Sequence, residues 1–443
     1  MQFFFNTLNY CRKNERNLFF CFLFFHIFVS TFLSFLAHSE HLSSLHDGMG
    51  VWYFALDSGK YHQEALNLVT HLQRHEWAEW WNLYRNHLNV KIISLTYLIT
   101  GYHVPITYEI VNCFVWATSI LLIHRVSKLL FINNNLTSLV GIMFFFQPSI
   151  LISSTQLLRD PILILGFCFI LYGFAVFSKQ KTTWKWAVMI QIGIILLLLM
   201  REYLSIVVLA CLLLPSIVLI KEKRFIPPLL FLIIPMVLLV FFVPHNYAPD
   251  VYSTIDITEK QVQTAVTTEK QIQTSVTTKK QVQSIYLNAI TNKLSSMRQG
   301  FRDSNYDAGS RIDANHSYAS FSELVKYFPR ALQIGLLSPF PRDWFEKGQA
   351  TGKIGRLLAG MEMIIWYLIL SGFIFVVFKN PSVLKPFATV FLFSITLIIL
   401  YAYVIPNFGT VYRMRQAYMM PFFLFGAYGL SLMRSNFLKK RSN

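Results

Sequence analysis

Charge is scarce in this chain, and acid scarcer still: charged residues make up 14% of the 443 positions, with 22 Asp and Glu against 39 Lys and Arg. Soluble domains keep about a quarter of their residues charged, so this composition cannot cover a water-facing surface of that size. Cysteine is also sparse. The five thiols, Cys11, Cys21, Cys113, Cys168 and Cys211, show no C-x-x-C or paired spacing, and neither a cysteine metal site nor a disulfide framework is expected. Among themselves His46, His62, His75 and His103 show no His-x-x-x-His spacing, so these four are not expected to form a structural zinc site. No Gly-rich loop of the Walker type occurs either. The net charge of +17 does not point to nucleic acid, because the basic residues form no common face or stripe.

What the chain has instead is apolar length. Hydrophobic residues reach 54% and aromatic ones 16%, and they gather in runs close to the roughly twenty residues that cross a hydrocarbon core of about 30 Å. Such runs lie near residues 17–37, 107–124, 136–153, 161–178, 186–200, 204–220, 226–244, 357–378, 386–405 and 417–433. Backbone polar groups in lipid must pair within their own segment, so each run is expected to be helical. The first follows Arg12, Lys13 and Arg16 but is long and lacks a small-residue cleavage site, and it reads as an uncleaved helix. The expected fold is an all-α integral membrane protein of about ten transmembrane helices.

Threading these runs with the N-terminus in the cytoplasm places Arg125/Lys128, Lys179/Lys181/Lys185, Lys221/Lys223/Arg224, Lys379/Lys385 and Arg434/Lys439/Lys440/Arg441 on one side, as the positive-inside rule requires. Both termini are then cytoplasmic. Val90–Gly101 is apolar too, but counting it as a span would invert every later loop; it is assigned to the outer interface. Two large outer loops follow, 38–106 within an N-terminal membrane core of 1–244, and 245–356 ahead of a C-terminal three-helix segment 357–443. Short inner loops leave no room for a nucleotide fold, so a lipid-linked donor fits better than ATP or a nucleotide sugar. Within the second loop a decapeptide, Thr-Glu-Lys-Gln-Val-Gln-Thr-Ala-Val-Thr, begins at Thr258 and recurs with small changes through 284. Its polar, near-identical copies read as a spacer.

The first loop carries Asp47 and Asp57, either of which offers a base, or a pair of oxygen ligands for a divalent metal. After Leu66 it becomes an amphipathic, Trp-rich stretch ending at Trp77, Trp80 and Trp81, suited to the headgroup layer as an interfacial helix. An Asp followed by Ser-Gly also makes a turn or helix cap, and both readings of Asp57 stay open on residue type alone. Arg159, Arg201, Arg413 and Arg415 emerge at outer helix ends, against the positive-inside pattern. Each side chain can snorkel to headgroups, and Arg159-Asp160 and Arg201-Glu202 can be local ion pairs. Together, however, four planar forks suit the oxygens of a lipid-linked phosphate leaving group.

The run Asp57-Ser-Gly-Lys-Tyr61-His62-Gln-Glu-Ala65 resembles the first-loop motif of bacterial membrane glycosyltransferases of the C type, which use polyprenyl-phosphate sugars. Pro148-Ser through Arg159-Asp160, Met200-Arg201-Glu202-Tyr203, Tyr327-Phe-Pro329, Ser338-Pro-Phe-Pro341, Glu362 to Trp366, and Arg413-Met-Arg415 before Pro421 are similar to its uncharacterised surface-polysaccharide branch. The resemblance implies a hexosyltransferase of envelope glycan assembly in the bacterial cytoplasmic membrane, moving a sugar from a polyprenyl-phosphate donor to a glycan or lipid acceptor on the outer face. It implies Asp57, with Asp47 nearby, as the carboxylate that takes the acceptor proton. Tyr61, His62, Arg159, Asp160, Arg201, Arg413 and Arg415 are then substrate-binding. The adjacent acidic pair common in the family is absent here, Asp47 and Asp57 being ten positions apart. Two rival classes are a surface-polysaccharide (O-antigen or exopolysaccharide) polymerase, which needs outer Arg residues but not Asp57, and a non-enzymatic lipid-glycan flippase, which needs polar residues at mid-membrane depth.

Overall fold

In the computed structural model, described for residues 14–84, 87–131, 135–179, 185–201, 275–304, 309–346, 348 and 352–442, no strand forms and the regular elements are helical. In chain order they are α1 (Glu15–Ala37), α2 (Leu56–Gln73), α3 (Trp77–Asn82), α4 (Leu88–Thr100), α5 (Pro105–Leu130), α6 (Asn135–Met143), α7 (Pro148–Ser154), α8 (Asp160–Lys179) and α9 (Lys185–Met200). They continue with α10 (Ser275–Ser304), α11 (Phe321–Leu337), α12 (Gly352–Lys379), α13 (Ala388–Val404), α14 (Phe408–Met414) and α15 (Gln416–Ser442).

Among the described residues five segments are long and apolar enough to cross a membrane: α1, α5, α8, α12 and Pro381–Val404, which contains α13. The run expected at 136–153 is broken, with Thr137–Phe146 and Pro148–Ser154 meeting at 56°. Pro148 explains the break, since it has no N–H to continue the helix and sits naturally at a first helical position. Counted as one, this pair makes a sixth span. Of the other expected spans, 204–220 and 226–244 lie outside the described residues, α9 has 16 residues, and 417–433 falls inside the 27-residue α15, which is not among the five. Helix α4, at 13 residues, reaches only about 20 Å and is too short to cross, in keeping with its exclusion from the threading.

The chain divides into two compact units, one of Met1–Leu239, Pro339–Leu397 and Arg413–Asn443, the other of Val240–Ser338 and Ile398–Tyr412. The division falls near the expected loop limits of 245 and 356, but 339–356 joins the first unit and Ile398–Tyr412 the second. The third decapeptide copy, expected in a spacer, lies in α10, while the first copy and most of the second are outside the described residues.

In the first unit, α1 and α5 run antiparallel, which brings Glu15 at the start of one to 2.8 Å from Arg125 near the end of the other. A polar latch ties them to the broken span: His26 lies 3.0 Å from the Cys113 sulfur and 2.6 Å from the Ser154 hydroxyl. Helices α8 and α9 close on each other through Gly166 and Gly193; a Cβ on Gly166 would sit 2.9 Å from the Gly193 carbonyl oxygen. Small residues let backbones approach where lipid supplies no hydrophobic drive between helices.

The first loop folds onto this frame. Its apolar face supplies Tyr61, Ala65, Leu68 and Val69 from α2 and Val90, Ile93 and Tyr97 from α4 to one buried cluster with Leu157 and Leu158. Two bonds fix its position: Trp52 N–H donates to Gln156 Oε1 (3.1 Å) and Leu157 N–H to Ser58 Oγ (3.1 Å), on a turn that Asn112 Nδ2 of α5 holds through the Gln156 carbonyl (2.8 Å). Trp77 and Trp81 of α3 stay exposed, at 55% and 43%.

Candidate functional site

Because Ser58 is pinned to the turn that precedes Arg159-Asp160, the start of α2 lies beside the start of α8. Asp57 occupies the first turn of α2, where a negative charge is favoured by the helix dipole. The N-cap is Ala55, without a side-chain cap bond, so the turn-or-cap reading of Asp57 does not describe what its carboxylate does. Arg413 Nη2 donates to Asp57 Oδ2 at 2.6 Å, across 356 residues of sequence. Both partners remain reachable, the Arg413 side chain at 32% and that of Asp57 at 42% exposure.

A second pair sits alongside. Arg201, just after α9, donates from Nη2 to Asp160 Oδ1 at 3.0 Å, and Arg201 is almost completely buried. The expected Arg201-Glu202 pairing falls on a residue, Glu202, that lies outside the described ones. Arg159 donates to the Met200 carbonyl at 3.3 Å, on the same turn. Burial works against the Arg413 charge, but Asp160 and Asp57 outweigh it and raise its pKa further, Arg201 opposing them. Burial likewise pushes the Tyr61 phenol up, with Arg159, Asp57, Asp160 and Arg413 all acting on it. Asp57, Tyr61, Arg159, Asp160, Arg201 and Arg413 thus form one centre. Three guanidinium groups against two carboxylates leave it one positive charge.

The other expected site residues lie elsewhere. Asp47 Oδ1 accepts from the Met49 and Val51 amides at 2.8 and 3.0 Å, closing the Gly48–Gly50 turn. His62 is buried and lies 2.8 Å from the Tyr97 hydroxyl. Burial lowers its pKa, Asp47 raising it and His103 lowering it. Arg415 is fully buried and donates to the Met363 sulfur at 3.1 Å, against α12. Among the described residues no three His, Cys, Asp or Glu side chains come together to hold a metal.

Two polar features had no role assigned from the sequence. Glu362 of α12 accepts from the Ser149 amide (2.7 Å) and hydroxyl (2.6 Å), joining α12 to the start of α7. Glu109 of α5 is 1% exposed, and neither carboxylate oxygen has a hydrogen-bond partner among the described residues. A single acid inside an apolar run marks both, but only the fold says which finds a donor. Compared with family models, curated proteins and solved structures, the chain matches none of them.

Proposed function

We propose that the chain is a C-type membrane glycosyltransferase, transferring a sugar from a polyprenyl-phosphate donor to an envelope glycan or lipid acceptor on the outer face of a bacterial cytoplasmic membrane. The ten-span threading with both termini inside and two large outer loops belongs to this proposal. The observation that carries it is the Asp57–Arg413 pair, set in a centre with net positive charge.

In this reading the acceptor hydroxyl oxygen attacks the anomeric carbon in line, the bond from that carbon to the phosphate oxygen breaks, and the configuration inverts. Asp57 takes the hydroxyl proton. The leaving lipid phosphate carries its charge into the field of Arg413, with Arg159 and Arg201 behind it. Arg413 is suited to both states: at rest it holds Asp57, and its planar fork can turn its donors to phosphate oxygens when the pair opens.

Glu109 favours the flippase reading, since buried acids in spanning helices mark ion and substrate paths. It lies only one turn into α5, about 6 Å along the axis from the helix start, and mid-depth is where such a path needs it. The transferase reading is tested by comparing lipid-linked and surface glycans, by mass, in a strain lacking the protein and in the same strain carrying Asp57→Asn. A missing sugar branch in both supports it. Single repeat units in place of long chains replace it with a polymerase.

A further inference from the structure

The second unit contains a wide-mouthed cavity, open to solvent, of about 440 Å³ lined by Asp313, Ala314, Asn315, His316 and Tyr327. Its loop is held from below. Arg298 of α10, 2% exposed, donates to the carbonyls of Asp313 (2.7 Å), His316 (3.1 Å), Ala402 (3.2 Å) and Tyr403 (2.9 Å). Four carbonyl acceptors on one guanidinium fix the loop to the end of α13. Asp313 is held at a φ of +46°, a left-handed conformation unusual for any residue but glycine.

The side chains around the cavity are neutralised within it. Arg330 grips Asp313 with both prongs, Nε to Oδ2 at 2.8 Å and Nη2 to Oδ1 at 3.2 Å, and the Tyr327 hydroxyl adds a third bond at 3.1 Å. Burial alone would raise the Asp313 pKa, but these bonds and the Arg330 charge bring it below its ordinary value. Burial pushes Tyr327 up to about 12, so its hydroxyl remains a donor. A carboxylate has about four acceptor positions, and three are taken. One is left for a ligand donor. His316 stacks on Tyr327 with ring centroids 4.6 Å apart and planes 18° from parallel and meets Tyr318 edge-on at 5.3 Å, yet the residue stays exposed. Exposed Asn315 adds an amide that both donates and accepts.

An anion entering this cavity would meet Asp313, and a cation gains little there because Arg330 already answers the carboxylate's charge. A purely apolar ligand would strip water from the carboxylate and amide without replacing it. What fits is an uncharged ring with an apolar face and hydroxyls at its edge. We infer that this cavity is a binding site for neutral carbohydrate, with the sugar face on His316 and a sugar hydroxyl donating to Asp313. The site is built wholly from the second unit and does not depend on the Asp57 centre being catalytic.

Saturation-transfer NMR on the full chain in lipid nanodiscs tests this, with neutral oligosaccharides released by mild acid from the envelope of the producing cell as the probe. The unaltered protein should transfer saturation to the probe. His316→Ala should weaken binding about tenfold, and Asp313→Asn by a similar factor, the usual scale for a hydrogen bond to a charged group. His316→Phe, which keeps the ring face, should retain most of it, and this separates a stacking role from a folding defect. Asp57→Asn should bind the probe as the parent does, so a failure of the transferase reading leaves this result untouched. No saturation transfer at millimolar probe, or equal binding by the His316→Ala protein, overturns the inference.

Discussion

Asp57→Asn separates catalysis from folding, because the pair it breaks is half exposed. The Asp57 and Arg413 side chains are 42% and 32% exposed, and an ion pair in such contact with water contributes roughly 0–1 kcal/mol. That is small beside the 5–15 kcal/mol by which domains are typically stable. Asn keeps the size of the side chain and one oxygen that can still accept from Arg413, so the folded protein should melt within about 2–4 °C of the parent. Proton acceptance is lost outright, however, and a general base is typically worth about 10²- to 10⁴-fold in rate. Transfer of radiolabelled sugar from a polyprenyl-phosphate donor, measured in nanodiscs alongside a melting curve, reads both quantities on one preparation. Arg413→Lys keeps the charge and loses the planar fork, and should weaken donor handling more than it slows turnover of bound donor. The refuting result is an Asp57→Asn protein that melts as the parent does and transfers sugar at the parental rate.

Asp160→Asn should behave in the opposite way: its partner Arg201 is nearly fully buried, and removing one member of such a pair typically costs about 3–5 kcal/mol. A melting temperature unchanged from the parent would refute that. His62 gives a pH signature. Its folded pKa is lowered by burial, so the unfolded chain binds the extra proton first; stability is full above the ordinary imidazole value of about 6.5 and declines as pH falls below it. His62→Gln should flatten that decline, and melting curves from pH 8 to 5 that coincide for the two proteins would show that His62 does not cause it. Reporter fusions after Lys181 and Lys385 should give a cytoplasmic signal and one within 258–284 an external signal; a cytoplasmic signal at the repeat would overturn the threading.

The helices were legible where one physical cause sufficed. Runs 17–37, 107–124, 161–178 and 357–378 fall within α1, α5, α8 and α12 because apolar length and internal backbone pairing both demand a helix. Pro148 marked the break at 136–153, yet a hydropathy run of that length still reads as one span. The centre was legible as a set of charges on shared helix ends, but not as a set of partners. Asp57 meets Arg413 over 356 positions, and nothing local in either motif encodes the other. Asp47 and Asp57 looked alike in sequence and part company only because two backbone amides reach one of them. Arg298 could not be singled out at all: a lone Arg in a polar helix reads as solvated until the carbonyls that bury it are in place.

The bond from Ser149 to Glu362 also sets an order of events during synthesis. The opening turn of α7 has amide groups that its own helix cannot satisfy, and the carboxylate that serves the Ser149 amide lies 213 residues downstream. At about 5–20 residues per second, roughly 10 to 40 s pass between translation of the break and that of its partner. Throughout that interval the Ser149 amide and hydroxyl are without their native acceptor. Truncations that end just before Glu362 should therefore leave the N-terminal four-fifths of the chain more accessible to protease at the Pro148 break than the full chain is, and equal protection in the two would refute this.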